Sequence, residues 1–148
     1  MDLNLSGSTE LDADVNSVSA FLYDSKKLVS CIPNAKDLHI KSPNKFVVTI
    51  TLGLSFISGN IEVECSTIRK EKYSSERRIT GSGMGTKVDI DLEYDLVRKQ
   101  KNITVLDWRA KVNVGGIASG LGPAVLKEAS DDSIKKVLRN VKKGVEKT

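Results

Sequence analysis

The chain has 148 residues, of which 39% are hydrophobic and 28% charged, and a formal net charge of +4. That length supports one core burying about two-thirds of the unfolded surface, so a single domain over residues 1–148 is expected. No apolar run approaches the roughly 20 residues of a membrane span, and a 5% aromatic content with no concentrated basic stripe argues against nucleic-acid binding.

The segment from Met1 to Glu10 carries Asp2 and Glu10 but no basic stretch, so no secretory signal is read and a cytoplasmic location is expected. Leu3 to Leu11 then alternates weakly and reads as a first strand. Asp14 offers a helix cap before Val15, Val18, Phe21 and Leu22, which share one helical face. A second short helix runs from Asp24 to about Ser30 and stops before the Pro33-Asn34 turn.

Six strand-like segments follow: Lys36 to Lys41, Lys45 to Leu54, Asn60 to Lys70, Tyr73 to Gly81, Lys87 to Arg98 and Asn102 to Val114. The clearest is Lys87 to Leu96, in which Val88, Ile90, Leu92, Tyr94 and Leu96 alternate with charged residues to give one dry and one wet face. Ser42-Pro43-Asn44, Ser58-Gly59-Asn60, Glu71-Lys72, Gly81 to Gly85 and Lys99 to Asn102 mark turns short enough for hairpins, hence a meander. Strands this long must twist and coil, which curves the sheet into a half-barrel. After the glycines at 115, 116, 120 and 122, Pro123 opens a long helix in which Val125, Leu126, Ala129, Ile134, Val137, Leu138, Val141 and Val145 recur at helical spacing. Ser130, Asp131 and Asp132 are poor interior helix residues, so a kink is expected there. The fold class is α+β: a curved seven-stranded antiparallel sheet around a long C-terminal helix, with two short helices after the first strand.

This order is the helix-grip arrangement, and the chain resembles the START and Bet v 1-like (SRPBCC) superfamily. It is similar in particular to the G-subunit family of carbon monoxide dehydrogenase. The similarity is carried by Cys31-Ile32-Pro33-Asn34, by Leu52-Gly53 with Gly59, by Gly81-Ser82-Gly83-Met84-Gly85, and by Trp108-Arg109-Ala110 leading into Val114-Gly115-Gly116-Ile117-Ala118 and Leu121-Gly122. The family commonly has Gly where this chain has Asn34, a change that a turn tolerates because Asn accepts positive φ. The resemblance implies a hydrophobic ligand, lipid or quinone-like. It also implies service to a molybdenum-containing carbon monoxide dehydrogenase or related hydroxylase, in assembly, membrane recruitment or electron delivery. Peripheral contact with the inner face of the membrane is a further expectation.

Catalytic chemistry has weak support in the residues. His39 lies between Leu38 and Ile40 and alternates to the outer face. Cys31 and Cys65 form no CxxC and read as buried thiols, so no metal, cofactor or catalytic residue is assigned. The glycine run from Gly81 to Gly85 leads into a strand rather than a helix, which argues against a phosphate loop and for a flexible hairpin with room for a ligand or neighbouring backbone. The alternation identifies no inward acid, base or histidine. The main rival reading is an enzyme of the same superfamily, cyclase- or hydrolase-like, acting on an apolar substrate.

Charge is distributed by end. Lys41 and Lys45, Arg69, Lys70 and Lys72, and Arg98, Lys99 and Lys101 flank alternate turns of the meander and so share one end. The segments Cys31 to Ala35, Ser55 to Gly59, Gly81 to Gly85 and Gly115 to Gly122 fall at the other end and contain no charged residue. An uncharged, glycine-rich rim on a charged chain marks a cavity mouth or docking face, with Ile32, Pro33, Phe56, Ile57, Met84 and Ile117 as its contact residues. Small residues near that end leave room for an enclosed pocket. Its expected lining is Leu52, Leu54, Phe56, Ile61, Val63, Ile79, Val88, Ile90, Trp108, Val112, Val114, Ile117, Leu121 and Val125.

Overall fold

The computed structural model describes residues 1–54 and 57–147. Strand β1 (Asp2–Leu11) is followed by helices α1 (Val15–Tyr23) and α2 (Ser25–Ser30). Strands β2 (Ala35–Ser42), β3 (Lys45–Leu54), β4 (Ile57–Lys70), β5 (Ser74–Gly83), β6 (Thr86–Gln100) and β7 (Ile103–Gly116) then lead through a 3₁₀ turn (Ile117–Leu121) into α3 (Pro123–Glu146). The sheet order is β1-β7-β6-β5-β4-β3-β2, with every neighbouring pair antiparallel. The meander is thus closed on one side by β1, which pairs with β7.

Local signals place the helices. The Asp14 carboxylate accepts from the backbone of Asn16 at 3.0 Å and Ser17 at 3.1 Å, satisfying first-turn amides that a helix cannot pair internally. Asp24 does the same for Lys27 at 3.1 Å, at the point where α1 stops and α2 starts. Where a kink is expected the helix continues without a break: α3 is one helix of 24 residues. Buried Leu126, Val141 and Val145 hold it by tertiary packing, which outweighs the poor propensity of Ser130–Asp132. Its seat is close, since a Cβ added at Gly144 would lie 2.5 Å from Cζ of Phe21.

The strands also extend beyond their sequence-based bounds. Ser58, Gly59 and Asn60, read as a turn, lie inside β4, and the Gly81 to Gly85 turn shrinks to Met84 and Gly85. Ladder pairing continues as long as partners face each other, whatever the local turn propensity. Met84 at φ 54° and Gly85 at φ 71° both take left-handed backbone, as a type I′ hairpin requires. Asn34 is left-handed as well, at φ 62°.

Cross-strand register makes continuous rows on the concave face. Leu3, Val112, Ile90, Ile79, Cys65 and Phe46 form one. Val114, Val88, Gly81, Val63 and Val48 form the next towards the uncharged end, and Leu5, Ala110, Leu92, Arg77 and Thr67 the next towards the basic end. Helix α3 has β1, the 3₁₀ turn and α1 as its main neighbours, so it covers one half of this face. The buried residues accordingly fall into three clusters. One lies around α1 and the C-terminal part of α3, one under the start of α3 on β1 and β7, and one where α2 meets β3 and β4.

Candidate functional site

Between the second and third clusters the rows remain incompletely covered. Ile50, Leu52, Val63, Ile79, Val88, Ile90 and Leu92 share the concave face but are only half-buried. Leu121, Ile134 and Leu138 on the helical side are half-buried too. The seam follows β5 and β6, because Ile79 packs with the α2 cluster whereas Ile90 packs with the cluster under α3. Apolar side chains that face inward and yet keep solvent contact form a strip that an apolar molecule can cover.

The strip includes Leu52, Val63, Ile79, Val88, Ile90 and Leu121 from the expected lining. Ile61, Val112 and Val114 are fully buried core. Trp108 lies between two clusters, and its indole is so close to β1 that a Cβ at Gly7 would meet Cζ2 at 2.9 Å. Two expected lining residues point elsewhere: Val125 is 50% exposed and Ile117 65% exposed. For Val125 the reason is helix phase, since neighbouring Leu126 takes the inward position. Ile117 leaves the sheet at the 3₁₀ turn and packs its Cδ1 over Gly85. Phe56 lies outside the described residues, as do the side chains of Leu54 and Ile57.

Two hollows lie away from the strip. One, of about 720 Å³, is an open groove whose walls include Glu71, Tyr73, Asp95 and Asp107. The other, of about 10 Å³, lies towards the basic end, between α1–α2 and the strands, with Leu22, Leu28, Phe46, Cys65, Thr67 and Arg77 among its walls. Neither is the enclosed pocket expected among the lining residues. Six of those residues, Leu52, Val63, Ile79, Val88, Ile90 and Leu121, lie on a half-covered surface instead.

Arg77 corrects the expectation of an interior without acid or base. It shares the inward parity of Ile79, is 6% exposed, and donates from Nη2 to the Leu22 carbonyl at 2.8 Å and to Tyr94 Oη at 3.0 Å. Parity counted back from Ile79 would have found it. The run Glu76-Arg77-Arg78 hides it, because charge appears on both faces. Burial pushes the Tyr94 phenol up to about 12, against the opposing pull of the Arg77 charge. Burial likewise raises the Cys65 thiol, with Arg77 again opposing, and raises the Cys31 thiol, which a hydrogen bond with Ser30 partly offsets. His39 is exposed on β2, opposite Val47. Among the described residues no cluster of His, Cys, Asp and Glu could hold a metal ion.

The uncharged segments meet at one end. Met84 packs its sulfur over Gly59, Ile117 covers Gly85, and the Ile117 amide donates to the Gly85 carbonyl at 2.8 Å. This last approach demands glycine at Gly116, where φ is 77° and a Cβ would sit 2.0 Å from Gly85 O. The Thr51 amide ties in the Cys31 to Ala35 segment through the Asn34 carbonyl at 3.1 Å. Ile32 and Pro33 are half-buried, and Met84 is 36% exposed. At the opposite end, Lys45 pairs with Glu64, Arg69 with Glu71 and Glu76, and Lys99 with Glu10, which makes much of the basic rim a solvated ion-pair surface.

These features define a START-like helix-grip protein. The model of the carbon monoxide dehydrogenase CoxG family matches residues 7–146, and the chain belongs to that family. A conserved protein from Geobacillus kaustophilus is similar in structure, with 24% identity, TM-score 0.92, and coverage of 98% of this chain and 96% of that one. A START superfamily protein from Mycobacterium smegmatis has 12% identity and TM-score 0.78 with 97% of each chain covered. The Zhui aromatase/cyclase from Streptomyces sp. R1128 has 10% identity and TM-score 0.66 with 98% and 92% covered. A search of curated proteins gave no match. Among the described residues no helix is long and apolar enough to cross a membrane.

The buried phenol gives a pH signature. An unfolded tyrosine ionises near pH 10, whereas Tyr94 holds its proton to about 12, so the unfolded chain loses that proton first as pH rises. The contribution of Tyr94 to stability is therefore complete below about pH 10 and is lost towards pH 12. Denaturant titrations at stepped pH should show a fall across that window that is shallower in Tyr94→Phe. An identical slope in both proteins would mean that the phenol is not buried as described.

Proposed function

We propose that this chain is a non-catalytic binder of a hydrophobic small molecule, lipid or quinone-like, serving a molybdenum-containing carbon monoxide dehydrogenase or related hydroxylase. The observation that carries the reading is the strip: seven apolar side chains on the concave face that the protein's own helices leave half-covered. A ligand covering on the order of 200 Å² of it would gain about 5 kcal/mol before the entropy of association is subtracted. Membership of the CoxG family supports the link to the dehydrogenase. The competing reading, a cyclase- or hydrolase-like enzyme, draws on Arg77, Tyr94 and the likeness to an aromatase/cyclase. It would require these groups to reach a substrate, and one donor of Arg77 already holds the end of α1.

Gly81 offers a way to fill the strip without a clash at Cβ. A Cβ there would meet Val63 Cγ2 at 3.6 Å and Ile61 Cδ1 at 3.7 Å, ordinary contact distances. Organic extracts of purified protein, analysed by mass spectrometry, should contain a co-purifying apolar small molecule that is depleted in extracts of Gly81→Leu. Extracts from the folded parent that match those of an unrelated control protein would refute the carrier reading.

The uncharged end is the contact face through which the ligand is handed over, because a water-excluding rim lowers the cost of moving an apolar molecule between sites. Met84 supports this role. It occupies a left-handed turn position that costs an ordinary side chain about 1–2 kcal/mol and that Asn accepts readily. Met84→Asn should therefore raise the Tm while reducing co-purification with the host's molybdenum hydroxylase. Retained co-purification would remove Met84 from the contact face, and a variant that instead partitions less to membranes would assign the face to lipid.

A further inference from the structure

The strip ends, towards the basic tips, at a charge. Leu92 shares its row with Arg77 and Ile79 lies in the next row, so the apolar surface runs directly up to the guanidinium. Arg77 is 6% exposed, yet among the described residues no carboxylate stands within ion-pair distance of it. Its Nε is buried without a partner. Tyr23 and Tyr94 present their rings 5.3 Å from the guanidinium carbon, which supplies π-electron density but no counter-charge. A buried charge is normally paired, because neutral hydrogen bonds alone do not repay its desolvation.

The crevice beside Arg77 measures about 10 Å³, and Arg77 is the single charged residue among those lining it. That space admits about one water-sized group. Resting on the reading that the strip holds an apolar chain, we propose that Arg77 anchors the ligand's polar end and that this end is an ionised acid group. The unpartnered Nε–H offers a single donor, and a negatively charged oxygen, about the size of the water that the crevice admits, would both satisfy it and balance the charge. A neutral carbonyl would satisfy Nε but would leave the charge unbalanced. The ligand class is therefore an acidic amphiphile with its chain along Leu92, Ile79 and Ile90.

The test uses two fluorescent probes that share one chain and differ in charge, cis-parinaric acid and its methyl ester, titrated into the full-length parent, Arg77→Met and Arg77→Lys. The parent should bind the acid at least about tenfold more tightly than the ester. Arg77→Met should bind both probes at the ester's level, and Arg77→Lys should recover part of the preference, which a purely structural role for Arg77 would not produce. Equal affinities in the parent, or an acid preference that survives in Arg77→Met, would overturn the acid anchor and leave apolar binding standing. No saturable binding of either probe to the parent would overturn both. If Arg77→Met fails to fold, equal affinities in the parent still overturn the anchor, and Arg77→Lys, which keeps the charge but not the guanidinium, tests whether a parent preference belongs to Arg77.

Discussion

The architecture depends on where α3 is allowed to sit. The absence of a side chain at Gly144 lets the helix come down onto Phe21, and Leu126, Val141 and Val145 then bury themselves beside β1 and α1. A single helix about 10–12 Å across with its side chains cannot cover a seven-stranded sheet whose strands are about 4.8 Å apart. Seating α3 at the β1 side therefore leaves the concave face of β3 to β6 to α2 and to the sheet's own curvature. Cover at the α2 end is good, with Phe46 and Val48 buried, and it fails in between, along Val63, Ile79, Val88 and Ile90.

That gap unites several otherwise separate features. Gly81 stands in the middle of it, where any larger residue would reach towards Val63 and Ile61. The uncharged segments close off one end, with Met84 and Ile117 packed over glycines of neighbouring turns. The other end terminates at a guanidinium that has helix and phenol partners but no acid. An apolar surface with an uncharged rim at one end and a buried cation at the other has the polarity of an amphiphile laid lengthwise.

Much of this could be read from the residues, and the exceptions have physical causes. Strict alternation from Lys87 to Leu96 fixes β6 and the parity of its neighbours, so the inward placement of Val63, Ile79, Val88 and Ile90 followed from register alone. Val125 was misplaced because a helical face is only about 100° wide and a one-residue error in phase turns a side chain outward. The continuity of α3 through Ser130–Asp132 was hidden because packing, not propensity, holds that helix together. Arg77 escaped notice for a different reason: a charge in an alternating strand is read as outward by default, and only the parity of the flanking residues contradicts it. How fully the strip is covered depends on the distance between α3 and the far strands, which no local pattern encodes.

Trp108 is the chain's single tryptophan and packs against the cluster that Val88, Ile90 and Leu92 also border, so its emission reports from beside the strip. Titration of the purified, delipidated protein with decylubiquinone, a quencher with an apolar tail, tests the central claim directly. A binding strip predicts quenching that saturates stoichiometrically and is weakened in Gly81→Leu. Quenching that rises linearly without saturation, equal to that of free tryptophan, would contradict the account.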